Sequence, residues 1–121
     1  GYMLIDGGRQ TTVSYISNTL PIPADKPEIA VCTAIAGEML GLKMIYLEAG
    51  SGAINPVPVQ MIKKVRKAID IPLFVGGGIT DEKKAAEACE AGADIIVIGT
   101  AAEKDANVIK AISKQIHQKS K

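Results

Sequence analysis

Residues 73–81 read Leu-Phe-Val-Gly-Gly-Gly-Ile-Thr-Asp, and this stretch decides the fold. The short apolar run predicts a buried β-strand, the glycines predict a turn, and Thr80-Asp81 predicts the start of a helix. Glycines let the backbone approach a ligand closely, and their N–H groups can point towards an anion beside the positive end of the following helix. A tight turn with positive φ hardly requires three glycines, so the stretch favours a phosphate-binding turn.

The same order of elements repeats along the chain. Three further apolar runs, at residues 2–5, 44–47 and 95–98, are each followed by glycine within a few residues. Helical patterns lie between the runs. Near-continuous apolar strands that alternate with helices indicate parallel βαβ units. The sequence therefore predicts an α/β fold, and both an open doubly wound sheet and part of a closed barrel fit this order.

The first helix is expected to begin at Asp25, with Glu28 at the spacing of a capping box and Gly41 as its stop. Its apolar residues fall on one helical face and comprise Ile29, Cys32, Ile35, Ala36, Met39 and Leu40. Cys32 and Cys89 are interpreted as small buried hydrophobic residues rather than as a disulfide or a metal pair.

Composition excludes several function classes. The 121 residues are 47% hydrophobic and 22% charged, which predicts a globular core. The net charge is only +1, basic and acidic residues are interspersed, and aromatic residues are scarce. We therefore expect no nucleic-acid partner. The apolar runs are far shorter than the ~20 residues that span a bilayer. A cytoplasmic protein is expected.

The length predicts an incomplete barrel. A complete (β/α)8 barrel usually takes ~250 residues. We therefore expect residues 1–121 to form a single partial domain, βα units 5–8, which is the C-terminal half of a phosphate-binding TIM barrel. A half-barrel leaves sheet edges unpaired, so either an N-terminal half is missing or copies associate to close the barrel. A chain that begins directly in a strand favours a missing half.

A second glycine turn strengthens the prediction of a phosphate site. Gly99-Thr100 follows the last apolar run, one βα unit after the triple glycine. In barrels, the loops after strands seven and eight commonly share one phosphate site. The Thr100 hydroxyl could donate to a phosphate or cap the short helix that follows.

The stretch at residues 46–53, Tyr-Leu-Glu-Ala-Gly-Ser-Gly-Ala, is the third signal. Tyr46 and Glu48 are two apart on a strand and share one face, whereas Leu47 points the other way. A carboxylate at the carboxyl end of a barrel strand favours a catalytic role, and an ion pair with a lysine or arginine of a neighbouring strand is the structural alternative. Gly50-Ser51-Gly52 would suit a polyol or a phosphate.

Weaker candidates have structural interpretations. Arg9 could face an anion or stand in a turn, Asp94 is expected to cap or stabilise the start of the last strand, and His117 is expected to be solvated. The basic cluster at residues 63–67 is interpreted as a solvated helix face. The sequence contains no familiar metal-ligand motif.

These residues resemble the geranylgeranylglyceryl phosphate synthase family, including its bacterial heptaprenylglyceryl phosphate synthase relatives. The stretch at 46–53 resembles the family signature, and Val-Gly-Gly-Gly-Ile at 75–79, Ala-Gly-Ala-Asp at 91–94 and Ile98-Gly99 continue the match in order. The similarity runs from Tyr2 to about Asp105. The first motif is quite specific, whereas the others occur in many phosphate-binding barrels.

The resemblance implies a prenyltransferase of archaeal-type phospholipid biosynthesis. A geranylgeranyl group would move from its diphosphate to the C3 hydroxyl of sn-glycerol 1-phosphate and form an ether bond. Glu48 would accept the proton, and Tyr46 would hold the glycerol. The implied substrate-binding residues are Tyr46, Leu47, Glu48, Ala49, Gly50, Ser51, Gly52, Gly77, Gly78, Gly99 and Thr100. A homo-oligomer with peripheral contact to membrane lipids is also implied.

Two features depart from the family pattern. Many members carry Asn where this chain has Thr100, although a hydroxyl can still donate to a phosphate. The family's Mg2+-binding aspartate lies in the absent N-terminal half, so no metal ligand is expected here and the fragment alone could be inactive. The alternatives are another phosphate-binding barrel isomerase or synthase, and a non-catalytic half-barrel that binds phosphate.

Overall fold

The computed structural model describes residues 1–9 and 19–119. Its core is a parallel sheet whose strands lie side by side in chain order. The strands are β1 (Tyr2–Leu4), β2 (Ile45–Glu48), β3 (Leu73–Gly76) and β4 (Ile95–Val97). Each begins and ends within a residue of its predicted position, so the prediction of parallel βα units is confirmed.

Helices follow the strands in the predicted alternation. They are α1 (Pro27–Met39), α2 (Val59–Ala68), α3 (Glu82–Ala91), α4 (Thr100–Lys104) and α5 (Asn107–Lys119). Contacts run from α1 to α2, from α2 to α3 and from α3 to α5, so these helices form one layer. A doubly wound sheet carries helices on both faces, whereas a barrel carries them on one. The single layer therefore favours the barrel arrangement.

The register gives the sheet a helix-facing side and a second side. Leu47 pairs with Val75, and both side chains are fully buried under the helices. On the second side, Tyr2 is 53% exposed and Ile95 is 44% exposed. Parallel sheets occur almost only with both faces covered, so this apolar second side corresponds to the interior of a barrel.

Helix α3 begins and ends where the sequence predicts. The Asp81 carboxylate accepts the Lys84 N–H at 2.8 Å and caps the first turn. Gly92, in a left-handed conformation with φ of 119°, ends the helix. The buried stripe of α2 comprises Met61, Ile62 and Val65, at the spacing of one helical face.

Asp94 stabilises the amino ends of the strands, as predicted. Its Oδ2 accepts from Arg66 Nη1 at 2.6 Å and from the Leu73 N–H at 2.8 Å. Arg66 also donates to the Ile69 and Ile71 carbonyls at the end of α2. The interpretation of the basic cluster as a solvated face is therefore wrong for Arg66, which clamps α2 to β3 and β4.

Helix α1 differs from the prediction in two ways. Lys26 occupies the N-cap position, where no side chain makes a capping hydrogen bond, so the Asp25 cap is wrong. The buried face is formed by Ala30, Ala34 and Gly37, which are small enough for close packing in the core. The predicted apolar stripe lies largely on the opposite side, where Cys32 is exposed and Met39 is 83% exposed. The interpretation of Cys32 as buried is therefore wrong.

Candidate functional site

A cavity of about 490 Å3 opens at the carboxyl ends of β2, β3 and β4. This is the end of the sheet at which parallel βα folds place their ligands. The residues that line it are Tyr46, Glu48, Ser51, Gly52, Ala53, Gly77, Gly78, Ile79, Thr80, Val97, Gly99, Thr100, Ala101, Lys104, Asp105 and Val108.

Two hydrogen bonds fix the Glu48 carboxylate. The Tyr46 hydroxyl donates to Oε2, and the Gly50 N–H donates to Oε1 at 2.8 Å. No lysine or arginine among the described residues forms an ion pair with Glu48, so the structural alternative of a cross-strand ion pair is not realised there. The carboxylate is half-buried and faces the cavity.

Tyr46 is held in place by neighbouring rings and by Glu48. The rings of Tyr2 and Phe74 pack edge-on against it, with centroids at 5.2 and 6.3 Å. Burial, followed by the hydrogen bond to Glu48 and its negative charge, raises the pKa of the Tyr46 phenol well above its usual range. Tyr46 therefore remains a protonated donor at neutral pH.

The three consecutive glycines allow the loop after β3 to lie close to the side chains of Tyr46 and Glu48 and to the loop after β2. A Cβ on Gly76 would lie 2.6 Å from the Tyr46 hydroxyl. A Cβ on Gly77 would lie 2.6 Å from Glu48 Oε1 and 2.6 Å from the Gly50 nitrogen, and Gly77 also has φ of +84°. Close approach and left-handed geometry together require glycine here. This explains why one turn uses consecutive glycines.

The glycine turns present backbone donors to the cavity. The N–H groups of Gly77, Gly78 and Thr100 have no backbone acceptor among the described residues. Thr100 is the first residue of α4, so its N–H is one of the unsatisfied groups at a helix start. Backbone donors in such turns can bind an anion.

The structure brings together most of the predicted site residues. Eight of them line the same cavity: Tyr46, Glu48, Ser51, Gly52, Gly77, Gly78, Gly99 and Thr100. Leu47, Ala49 and Gly50 do not line it. Leu47 and Ala49 are buried in the core, and their assignment to substrate binding stays a prediction. Gly50 contributes indirectly, because its N–H donates to the Glu48 carboxylate and holds it in place.

Sequence reasoning predicted Thr100 but missed the rest of the far wall of the cavity. The missed residues are Ala101, Lys104, Asp105 and Val108. Thr100 and Lys104 are four residues apart on α4 and share one side of it, a spacing that could have identified Lys104, whereas Val108 belongs to α5.

Arg9 lies beside the cavity rather than in it. Its Nη1 is 3.5 Å from the Gly52 carbonyl oxygen. The neighbouring Gly7 carbonyl accepts the N–H groups of Ile54 and Asn55, both at 3.0 Å. The loop after β1 therefore supports the loop after β2.

Among residues 1–9 and 19–119, no group of three or more His, Cys, Asp or Glu side chains could hold a metal ion. The residues described here therefore do not fit a Mg2+ site by themselves. None of the helices in the described part of the chain is both long and apolar enough to cross a bilayer.

The single helix layer and the cavity at the strand ends define an α/β protein built from barrel-type βα units. The chain belongs to the PcrB family, whose sequence model matches residues 1–116. The resemblance to geranylgeranylglyceryl phosphate synthases is thereby confirmed, since relatives with that name align with most of the chain.

Two such relatives come from distant organisms. The chain is 55% identical over 118 residues to the geranylgeranylglyceryl phosphate synthase of Spirosoma linguale and 53% identical over 113 residues to that of Thermococcus gammatolerans. The alignments cover 98% and 93% of this chain but 47% and 44% of the relatives. The chain spans about half the length of the curated relatives it matches.

A solved structure agrees with both the fold and the family. It is (S)-3-O-geranylgeranylglyceryl phosphate synthase from Thermoplasma acidophilum in complex with its substrate sn-glycerol-1-phosphate. It matches this chain with a TM-score of 0.85 and 36% identity, over 96% of this chain and 46% of that protein. The expectation of a half-barrel is confirmed by this match.

Proposed function

We propose that this chain forms the glycerol phosphate side of a prenyltransferase site that makes an ether bond between a prenyl diphosphate and sn-glycerol 1-phosphate. The observation that carries the proposal is the Glu48 carboxylate, oriented by Tyr46 and Gly50 in the cavity that the glycine turns also line. The Thermoplasma acidophilum relative, which binds sn-glycerol-1-phosphate, supports it.

The proposed chemistry uses the two walls differently. The N–H groups of Gly77 and Gly78, with Thr100, bind the phosphate, while Tyr46 and Ser51 hold the glycerol hydroxyls. Glu48 accepts the proton of the C3 hydroxyl as its oxygen attacks C1 of the prenyl group. The new C–O bond forms as the bond from C1 to the diphosphate breaks, and the diphosphate leaves with the electron pair. Holding the hydroxyl and the base together lowers the barrier to transfer.

Glu48→Gln tests the assigned role. The amide keeps the size of the carboxylate but cannot accept the proton at neutral pH. We expect sn-glycerol 1-phosphate to remain bound in calorimetry. Once the half that this chain does not match is supplied from a relative, prenyl transfer, monitored by diphosphate release, should fall by about 10²-fold or more. Glu87→Gln, on an exposed position of α3, is the control. Lost binding with unchanged turnover would contradict the role.

A substrate panel separates the two other candidate functions. Another phosphate-binding barrel enzyme would turn over a different phosphorylated substrate and would not consume sn-glycerol 1-phosphate. A non-catalytic half-barrel would bind phosphate and show no turnover with any substrate. The part of the site that holds the prenyl diphosphate and Mg2+ is proposed to lie in the length of the relatives that this chain does not match.

We also propose that copies of the chain associate through the outer side of α1. This side carries Ile35, Cys32 and Met39, opposite the buried Ala30 and Ala34. Because it points away from the sheet, neighbouring helices of a barrel layer would flank it without covering it. A second copy could cover this apolar side, whereas a lipid surface would demand basic neighbours. A cytoplasmic location, with any peripheral lipid contact made by a surface other than this side of α1, belongs to the same proposal.

Sedimentation equilibrium tests the association. Met39→Glu should weaken it, because a carboxylate would be buried between the copies. Gln118→Glu on exposed α5 adds the same charge elsewhere and should leave the mass unchanged. Equal masses for the unmodified chain and Met39→Glu at all concentrations would contradict the interface.

A further inference from the structure

The side chain of Lys104 lines the candidate site and has no ion-pair partner among the residues that the structure describes. Lys104 ends α4 and lines the cavity on the wall opposite Glu48. The ion pairs found in the described part of the chain involve Lys64 and Arg66, and none involves Lys104. Its ammonium group also makes no hydrogen bond recorded within those residues, unlike the nearby Lys84, which donates to Thr80.

The charges of the side chains that line the cavity indicate a role for the Lys104 ammonium group. Two carboxylates, Glu48 and Asp105, line the cavity together with Lys104, which is the one basic residue that residues 1–9 and 19–119 contribute to its lining. A phosphate monoester at neutral pH brings close to two further negative charges. Backbone N–H groups supply only partial positive charge. Without Lys104, a dianion would enter a cavity whose formal side-chain charge is wholly negative.

The position of Lys104 matches that of the phosphate donors. Thr100 and Lys104 are four residues apart on the same short helix, so their side chains lie on one side of it. Thr100 stands directly after the second glycine turn, and both residues line the cavity. A flexible lysine stem can bring its ammonium group to an anion bound at Thr100.

We propose that Lys104 is a phosphate-binding residue whose ammonium group neutralises the dianionic form of the ligand. This inference rests on the proposed function, since it places the phosphate at the glycine turns. It adds a full positive charge to a site otherwise built from backbone donors and hydroxyls. It also explains how two cavity carboxylates tolerate an anionic substrate.

Calorimetric titration of the 121-residue chain tests the role. The probes are inorganic phosphate and sn-glycerol 1-phosphate, each titrated at pH 8 and at pH 5.5. Lys104→Gln should lower the affinity for both ligands about tenfold at pH 8. The loss of affinity should be smaller at pH 5.5, where the phosphate is mostly a monoanion. Lys104→Arg should restore most of the affinity. Lys110→Gln, which removes an exposed lysine from α5 outside the cavity lining, should bind like the unmodified chain.

The outcomes separate this inference from the proposed function. Equal affinities for the unmodified chain and Lys104→Gln would overturn the role of Lys104 and leave the proposed function standing. Binding of inorganic phosphate without binding of sn-glycerol 1-phosphate would overturn the proposed function, and the effect of Lys104→Gln on phosphate would still decide the inference. An equal loss at both pH values without rescue by arginine would indicate a structural role and overturn it.

Discussion

At the scale of single residues, the site depends on how closely two loops approach each other. Gly77 is the tightest point, because a Cβ there would lie 2.6 Å from both Glu48 Oε1 and the Gly50 nitrogen. Gly77→Ala should therefore displace the carboxylate and destabilise the fold by about 2 kcal/mol or more. Phosphate binding should be lost. Chemical denaturation and calorimetry measure the two effects.

Gly99→Ala is the matched control for that prediction. A Cβ at Gly99 would meet nothing within 4 Å, and its φ is not positive. We expect its free energy of unfolding to change by less than ~1 kcal/mol. If Gly77→Ala were as stable as Gly99→Ala and bound phosphate normally, the close approach would have no energetic consequence.

Tyr46 predicts a specific dependence of stability on alkaline pH. Its pKa in the folded chain is raised, mainly by burial and then by Glu48, above the ordinary value near 10. The stabilisation is fully present below pH ~10 and is lost as pH rises through the folded pKa, because the unfolded chain ionises first. Thermal midpoints measured between pH 9 and 11 should fall less steeply for Tyr46→Phe than for the unmodified chain.

Tyr2 gives that experiment its control. Burial and the Glu48 charge raise the Tyr2 pKa as well, so Tyr46→Phe should reduce the alkaline loss without abolishing it. Glu48→Gln should lower the pKa of both phenols and shift the tyrosine absorbance titration to lower pH. Parallel slopes for the unmodified chain and Tyr46→Phe would show that the phenol is not perturbed.

Which side chains reach the cavity could be read partly from the sequence. The strand period of two correctly separated Tyr46 and Glu48 from Leu47. The family signature nevertheless treats the whole stretch as one block, which hid the burial of Ala49 and the supporting role of Gly50. Lys104 carries no motif, and only its spacing from Thr100 on a helix connects it to the cavity.

At the scale of elements, capping distinguishes two aspartates that look alike in sequence. Asp81 accepts the Lys84 N–H at 2.8 Å, whereas the N-cap position of α1 is Lys26 and Asp25 stands before it. Asp81→Ala should lower the free energy of unfolding by ~1 kcal/mol, and Asp25→Ala should change it by less than ~0.5 kcal/mol. Urea denaturation of the two variants in parallel makes the comparison, and equal losses would contradict it.

The orientation of α1 could not be predicted from its apolar residues. Large side chains at Ile29, Ile35 and Met39 suggested a core-facing stripe, but the buried face is the small one at Ala30 and Ala34, and α1 makes its closest contacts with α2. The small side chains of α1 are buried although the large ones are more hydrophobic, because a tightly packed helix layer has room only for small residues at the closest contact. For α2, large apolar residues lie on the sheet side, and the pattern sufficed.

At the scale of the whole molecule, the second side of the sheet is an apolar surface with exposed side chains. Tyr2 is 53% exposed, Ile95 is 44% exposed and Val97 is 38% exposed, and all three point away from the helix layer. The strand positions were predictable from sequence, and so was the exposure of this side, because near-continuous apolar strands are typical of sheets covered on both faces and a half-barrel leaves one apolar face without cover.

This surface predicts that the 121-residue chain self-associates through its sheet as well as through α1. The double substitution Ile95→Thr and Val97→Thr removes apolar area from exposed positions, so it should change the free energy of unfolding little while weakening association by about tenfold. Sedimentation equilibrium of this variant, of Met39→Glu and of the combined variant measures the two surfaces separately. If only Met39→Glu changed the mass, the sheet side would be no contact surface between copies. If the threonine pair alone produced a monomer, the barrel interior would be the surface through which copies of the chain meet.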